Sequence, residues 1–126
     1  MKLIAALAAA ALLLAGCGAA PAAGGYQQIS QREAAVILES GEDFILLDVR
    51  TPEEFADGHI PGALNLANEE IGTEELPQLP QKDQMILVYC RSGNRSKQAA
   101  AKLAKLGYTN VLEFGGINTW SGEIVR

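Results

Sequence analysis

The sequence predicts an α/β layered domain built on a mostly parallel sheet. Three observations carry this. Residues 44–47 (Phe-Ile-Leu-Leu) and 85–90 (Met-Ile-Leu-Val-Tyr-Cys) are continuous apolar runs. Strands of that kind suit a sheet covered on both faces, where an alternating pattern would mark a half-wet one. Between the apolar runs stand helix-start signals and turn residues, so strands and helices alternate along the chain.

Taken in order, residues 26–29 form a short strand candidate. Ser30-Gln31-Arg32-Glu33 then fits a capping box, with Ser30 accepting from the third helical N–H and Glu33 reaching back. The helix it opens is expected to run to about Glu39 and to bury Ala34, Val36, Ile37 and Leu38. Ser40-Gly41-Glu42-Asp43 is a turn. The strand at 44–47 ends in Asp48-Val49-Arg50. Thr51-Pro52-Glu53-Glu54 starts a second helix, with a capping Thr, Pro at the first helical position and acids in the first turn. Gly58 keeps it short. Residues 63–66 suit a small strand and 69–76 a helix closed off by Pro77 and Pro80. After the strand at 85–90 comes the loop Arg91-Ser92-Gly93-Asn94-Arg95. A helix from about Ser96 to Leu106 buries Ala99, Ala100, Leu103 and Leu106. Lys102 and Lys105 complement its C-terminal dipole, and Gly107 ends it. Residues 111–114 form a last strand, and Gly115-Gly116 opens a short final helix carrying Trp120.

At 126 residues the chain is one ordinary domain in size. Its net charge of −5 argues against non-specific nucleic-acid binding. Two cysteines and one histidine exclude a disulfide-rich scaffold, a Cys-only zinc site and a multi-His metal cluster. No metal or cofactor is expected.

The first sixteen residues stand apart, since fourteen of them are apolar. Met1-Lys2 is a basic start, and residues 3–15 are an uncharged apolar stretch, too short to span a bilayer, which needs roughly 20 residues. The stretch ends Leu14-Ala15-Gly16-Cys17, which resembles the bacterial lipobox. The resemblance implies a signal peptide at 1–16, cleavage before Cys17, and lipid on that cysteine's sulfur and new amine. Gly18, where Asp would retain such a protein at the inner membrane, implies the outer membrane if the host is Gram-negative. Residues 17–25 then form a lipidated, small-residue tether, and the domain occupies 26–126.

Ligands of open parallel sheets bind beyond the carboxyl ends of the strands. Cys90 stands at such an end, before a Gly-containing loop and a helix N-terminus. Loop N–H groups and the helix dipole make an anion site that also activates a thiol. Cys90 is therefore the candidate nucleophile. Residues 33–83 hold thirteen acids and two bases, whereas 91–105 hold five bases and no acid. An acidic protein that gathers its bases after a cysteine points to an anionic substrate arriving there.

Cys90-Arg91-Ser92-Gly93-Asn94-Arg95-Ser96 resembles the active-site loop of the rhodanese family. Three further segments match in the family's order: Leu47-Asp48-Val49-Arg50, Gly58-His59-Ile60-Pro61-Gly62-Ala63-Leu64-Asn65, and Gly115-Gly116 with Trp120. The resemblance implies a three-layer α/β/α sandwich with a central five-stranded parallel sheet. It implies a thiosulfate-type sulfurtransferase, in which Cys90 takes a sulfane sulfur, forms a persulfide and passes it to cyanide or a thiol. The binding set it implies is Arg91, Ser92, Gly93, Asn94, Arg95 and Ser96, with Asp48 and Arg50 flanking the pocket or forming a structural ion pair. The loop from Cys90 to Arg95 has six residues, one fewer than in the related cell-cycle phosphatases. The Cys-x5-Arg pattern of tyrosine phosphatases fails, because the sixth position after Cys90 is Ser96. His59 and Trp120 read as structural. The alternative is a non-enzymatic rhodanese-like module that carries sulfur or binds a partner.

Overall fold

The structure, a computed structural model, describes residues 25–126. The leader, Cys17 and the tether up to residue 24 lie outside the described residues. Five strands are present: β1 (Gln27–Gln28), β2 (Phe44–Asp48), β3 (Leu64–Asn65), β4 (Met85–Cys90) and β5 (Val111–Gly116). The helices are α1 (Gln31–Leu38), α2 (Pro52–Asp57) and α3 (Asn94–Lys105). The strands pair in parallel in the order β1-β5-β4-β2-β3, which places β4 at the centre of the sheet. This is the five-stranded α/β sandwich the sequence predicts.

Side chains alternate across a strand, so a fully apolar strand serves two cores. Ile86, Val88 and Cys90 of β4 join Ala99, Ala100 and Leu103 of α3 on one face. Leu87 and Tyr89 face the opposite core, with Ala34 of α1, Ile60 and Phe114. Each fully buried aliphatic side chain contributes roughly 1.5–3 kcal/mol, so the two faces together secure the central strand. The predicted capping box at Ser30 forms, and the cap predicted at Thr51 closes into a second box that the sequence reading did not name. Ser30 Oγ accepts from the Glu33 N–H at 3.0 Å, and Thr51 Oγ1 from the Glu54 N–H at 3.2 Å.

Local signals misplace several elements. Val36 is 65% exposed, because α1 buries only the side that carries Ala34 and leans Ile37 and Leu38 against the core. The helix expected at 69–76 is a single 3₁₀ turn, Asn68–Glu70. Gly72 and Thr73 interrupt it, and Ile71, Leu76 and Leu79 are buried individually without helical spacing. α3 starts at Asn94, two residues early, since Gly93 takes the cap position in a left-handed conformation. Gly115 and Gly116 complete β5, and Ile117–Thr119 makes one 3₁₀ turn ahead of Trp120.

Candidate active site

The β4–β5 register shifts between Val88 and Cys90, and Cys90 ends opposite Gly116. Irregularities of this kind re-aim side chains at sheet rims. Here the cysteine sits beneath the loop that follows it. Gly93, with φ +107°, turns the chain back so that its N–H donates to Cys90 Sγ at 3.0 Å. The positive φ is the reason glycine occupies this position. Gly116 has a different reason. A Cβ there would collide with the Arg91 carbonyl, so only glycine lets β5 pass this close to the loop. That carbonyl accepts from the Asn118 N–H at 3.1 Å, which fixes the start of the loop.

Cys90, Ser96 and Glu113 are all buried. Ser96, in the first turn of α3, aims its hydroxyl inward. Its Oγ lies 3.4 Å from Cys90 Sγ, 3.0 Å from the Gly93 carbonyl and 2.5 Å from Glu113 Oε2. Glu113 also accepts from the Gly115 N–H at 2.9 Å and from Gln28 Nε2 at 3.5 Å. No basic side chain pairs with it among the described residues.

Arg95 pairs with Glu54 of α2, with Nη1–Oε1 at 2.7 Å and Nη2–Oε2 at 2.9 Å. This fork ties the loop to α2. The hydrogen bond from Arg95 lowers the Glu54 pKa to about 2, with help from Thr51 and against the effect of burial. The same pair raises Arg95. Arg91, Ser92 and Asn94 are exposed around the loop.

Asp48 and Arg50 engage each other. Arg50 Nη2 meets Asp48 Oδ2 at 2.6 Å and donates to the Gly58 carbonyl at 2.7 Å. Burial works against the Arg50 charge, and the Asp48 bonds overcome it, so its pKa is raised. The pair joins the end of β2 to the segment after α2, and no hydrogen bond runs from it to the 91–96 loop among the described residues. His59 stacks on Phe55 at 3.8 Å, with Nδ1 2.9 Å from the Phe55 carbonyl. Trp120 packs on Phe114.

Two acids of this neighbourhood escape the sequence reading. Glu54 is legible there as a first-turn acid, and its roles in the Thr51 capping box and toward Arg95 were not read from the sequence. Glu113 does leave one: it is an acid inside the apolar stretch Val111-Leu112-Glu113-Phe114, on a strand bonded on both sides. A charge placed there needs donors that only the fold supplies.

A cysteine at the carboxyl end of the central parallel strand, wrapped by a short loop leading into a helix N-terminus, defines an α/β protein with a Cys-loop site. Residues 30–123 match the model of the Rhodanese-like domain. A sulfurtransferase of Allochromatium vinosum is 44% identical over 96 residues, covering 75% of this chain and 83% of that protein. The thiosulfate sulfurtransferase PspE of Escherichia coli is 37% identical over 71 residues, covering 56% of this chain and 68% of that protein. In a 34% identical adenylyltransferase and sulfurtransferase of Candida albicans, the match spans only 24% of that protein. Among solved structures, an E. coli rhodanese with anions has a TM-score of 0.60 at 33% identity, covering 65% of this chain and 96% of that one. A human single-domain sulfurtransferase has a TM-score of 0.64 at 32% identity, covering 73% and 91%. The chain belongs to the rhodanese-like family.

Proposed function

We propose that the protein is a thiosulfate-type sulfurtransferase working through a Cys90 persulfide. The observation that carries this is the loop N–H aimed at Cys90 Sγ from Gly93, at the mouth of α3. The Cys90 thiolate attacks the outer sulfur of thiosulfate. The S–S bond of the donor breaks and sulfite leaves with the bonding pair. The N–H groups of the loop from Arg91 to Ser96 hold the terminal persulfide sulfur and its charge. Cyanide or a thiol then attacks that sulfur, and the Cys90 thiolate is released.

Arg91 and Arg95 attract the dianionic donor, with Arg95 already oriented by Glu54. Ser92, Gly93, Asn94 and Ser96 complete the binding loop. Asp48 and Arg50 support the pocket from the end of β2. The lipobox-like ending at Cys17 anchors the domain to a membrane of the bacterial cell envelope, facing the periplasm from the outer membrane in a Gram-negative host.

The purified chain, given thiosulfate and cyanide, is expected to form thiocyanate. With thiosulfate alone, Cys90 is expected to gain one sulfur, about 32 Da by mass spectrometry, as its persulfide. Cys90→Ser should do neither. Wild-type turnover in that variant would overturn the proposal. Sulfur loading without thiocyanate release would favour the sulfur-carrier reading.

A further inference from the structure

The site contains a buried carboxylate that the sulfur chemistry above does not use. Glu113 is 2% exposed, and its chain neighbours Leu112 and Phe114 point into the opposite core. Glu113 itself faces α3. Three donors converge on it, from Ser96, Gly115 and Gln28. Ser96 has a single proton, and its shortest contact is to Glu113 Oε2. With that proton given to Glu113, Ser96 Oγ remains an acceptor, 3.4 Å from Cys90 Sγ. Cys90, Ser96 and Glu113 thus form an ordered file from thiol to carboxylate.

A thiol must lose its proton before it attacks. The sole histidine is bound to Phe55 on another segment. Of the groups hydrogen-bonded to Ser96, the Gly93 and Gly115 carbonyls cannot hold a proton, and Glu113 can.

We propose that Ser96 and Glu113 relay the proton of Cys90, with Glu113 as its internal acceptor. The Cys90 S–H bond breaks as a new Ser96 O–H bond forms. The former Ser96 O–H bond breaks as a Glu113 O–H bond forms. Nothing is oxidised or reduced, and the cluster keeps one negative charge throughout. The charge moves from Oε2 to Sγ, where the Gly93 N–H already points. Creating a second buried charge would carry a large desolvation cost, which this exchange avoids. Two further ionisable groups among the described residues feel the cluster: Tyr26, whose phenol is raised by burial and then by Glu113, and Arg95, which is paired with Glu54 and also acted on by Cys90.

The inference rests on Cys90 being the nucleophile, but its test needs no sulfur donor. The full chain is treated with iodoacetamide between about pH 5 and pH 8, and alkylation is followed on the Cys90 peptide by mass spectrometry. Under the relay, the thiolate share between two coupled ionisations is set by the internal proton balance and not by pH. The wild-type rate is therefore expected to be nearly flat over that range. In Glu113→Gln, which keeps the shape but cannot take the proton, the rate should fall about tenfold per pH unit on the acid side. Ser96→Ala should do the same, and it decides the matter if Glu113→Gln does not fold. A wild-type rate that itself falls tenfold per unit overturns the relay. So does a flat profile that survives in either variant. Persulfide formation from thiosulfate is scored separately, so either reading can fail while the other stands.

Discussion

Arg95 and Glu54 neutralise each other beside the Cys90 loop, so neither substitution acts alone. Arg95→Ala removes a charge-assisted contact and exposes the Glu54 carboxylate to an incoming dianion. A loss of roughly 1.5–3 kcal/mol corresponds to a ten- to hundredfold fall in kcat/KM for thiosulfate. Adding Glu54→Gln to that variant should recover part of the loss, because the repulsive charge is gone. Steady-state kinetics of the single and double variants measure this coupling. Raising the salt concentration should slow the wild type toward Arg95→Ala, since a basic entrance acts over a screened distance.

The same pair sets an acid limit on stability. The Glu54 pKa falls from its ordinary 4.5 to about 2 on folding, through Arg95 first. A depressed carboxylate contributes stability that is full above the unfolded value and is lost as pH falls through the folded one. Urea unfolding between about pH 5 and pH 2 should therefore show stability declining chiefly from about 4.5 downward. Glu54→Gln should flatten that part of the profile and lower stability at neutral pH.

At the scale of elements, the loop is held by the strand behind it as well as by the helix it feeds. β5 passes so close to Arg91 that Gly116 has no room for a side chain. Gly116→Ala must push the Arg91 carbonyl away and strain its bond from the Asn118 N–H. Overpacking of this sort costs about 1–3 kcal/mol, readable as a lower urea midpoint. Activity should fall further than stability, because the displaced segment is the start of the loop proposed to hold the sulfur. Gly62, by contrast, has open space at the Cβ position, so its limit is its positive φ alone.

For the molecule as a whole, the proposed anchor and the charge distribution act together. The acids lie mainly in residues 33–83, and five bases gather in 91–105. The net charge of −5 therefore does not describe what a small anion meets at the loop. Full-length protein expressed in a bacterium should partition into the detergent phase, with lipid on Cys17 by mass spectrometry of the mature N-terminus. Cys17→Ser should remain unlipidated and enter the aqueous phase. An unmodified N-terminus at another residue would overturn the anchor.

Much of the architecture was legible because its causes are local. Apolar runs such as 85–90 mark two-faced strands, and the capping box at Ser30 and the capping Thr51 are written within four residues. The Cys90 loop was legible for the same reason, since Gly93 and the start of α3 follow the cysteine directly. Local signals failed at 69–76, where acids and isolated apolar residues suggested a helix. The chain instead uses Ile71, Leu76 and Leu79 as separate plugs in a core made elsewhere. Only the tertiary structure decided the partners of the site. Arg95 meets Glu54 across 41 residues, and Ser96 meets Glu113 across 17. The parallel sheet sets those meetings, because each crossover returns the chain to the same end and places α3 against β5. Sequence spacing determines what a residue can do for its own turn of chain. Which buried charge it faces depends on how the crossovers stack.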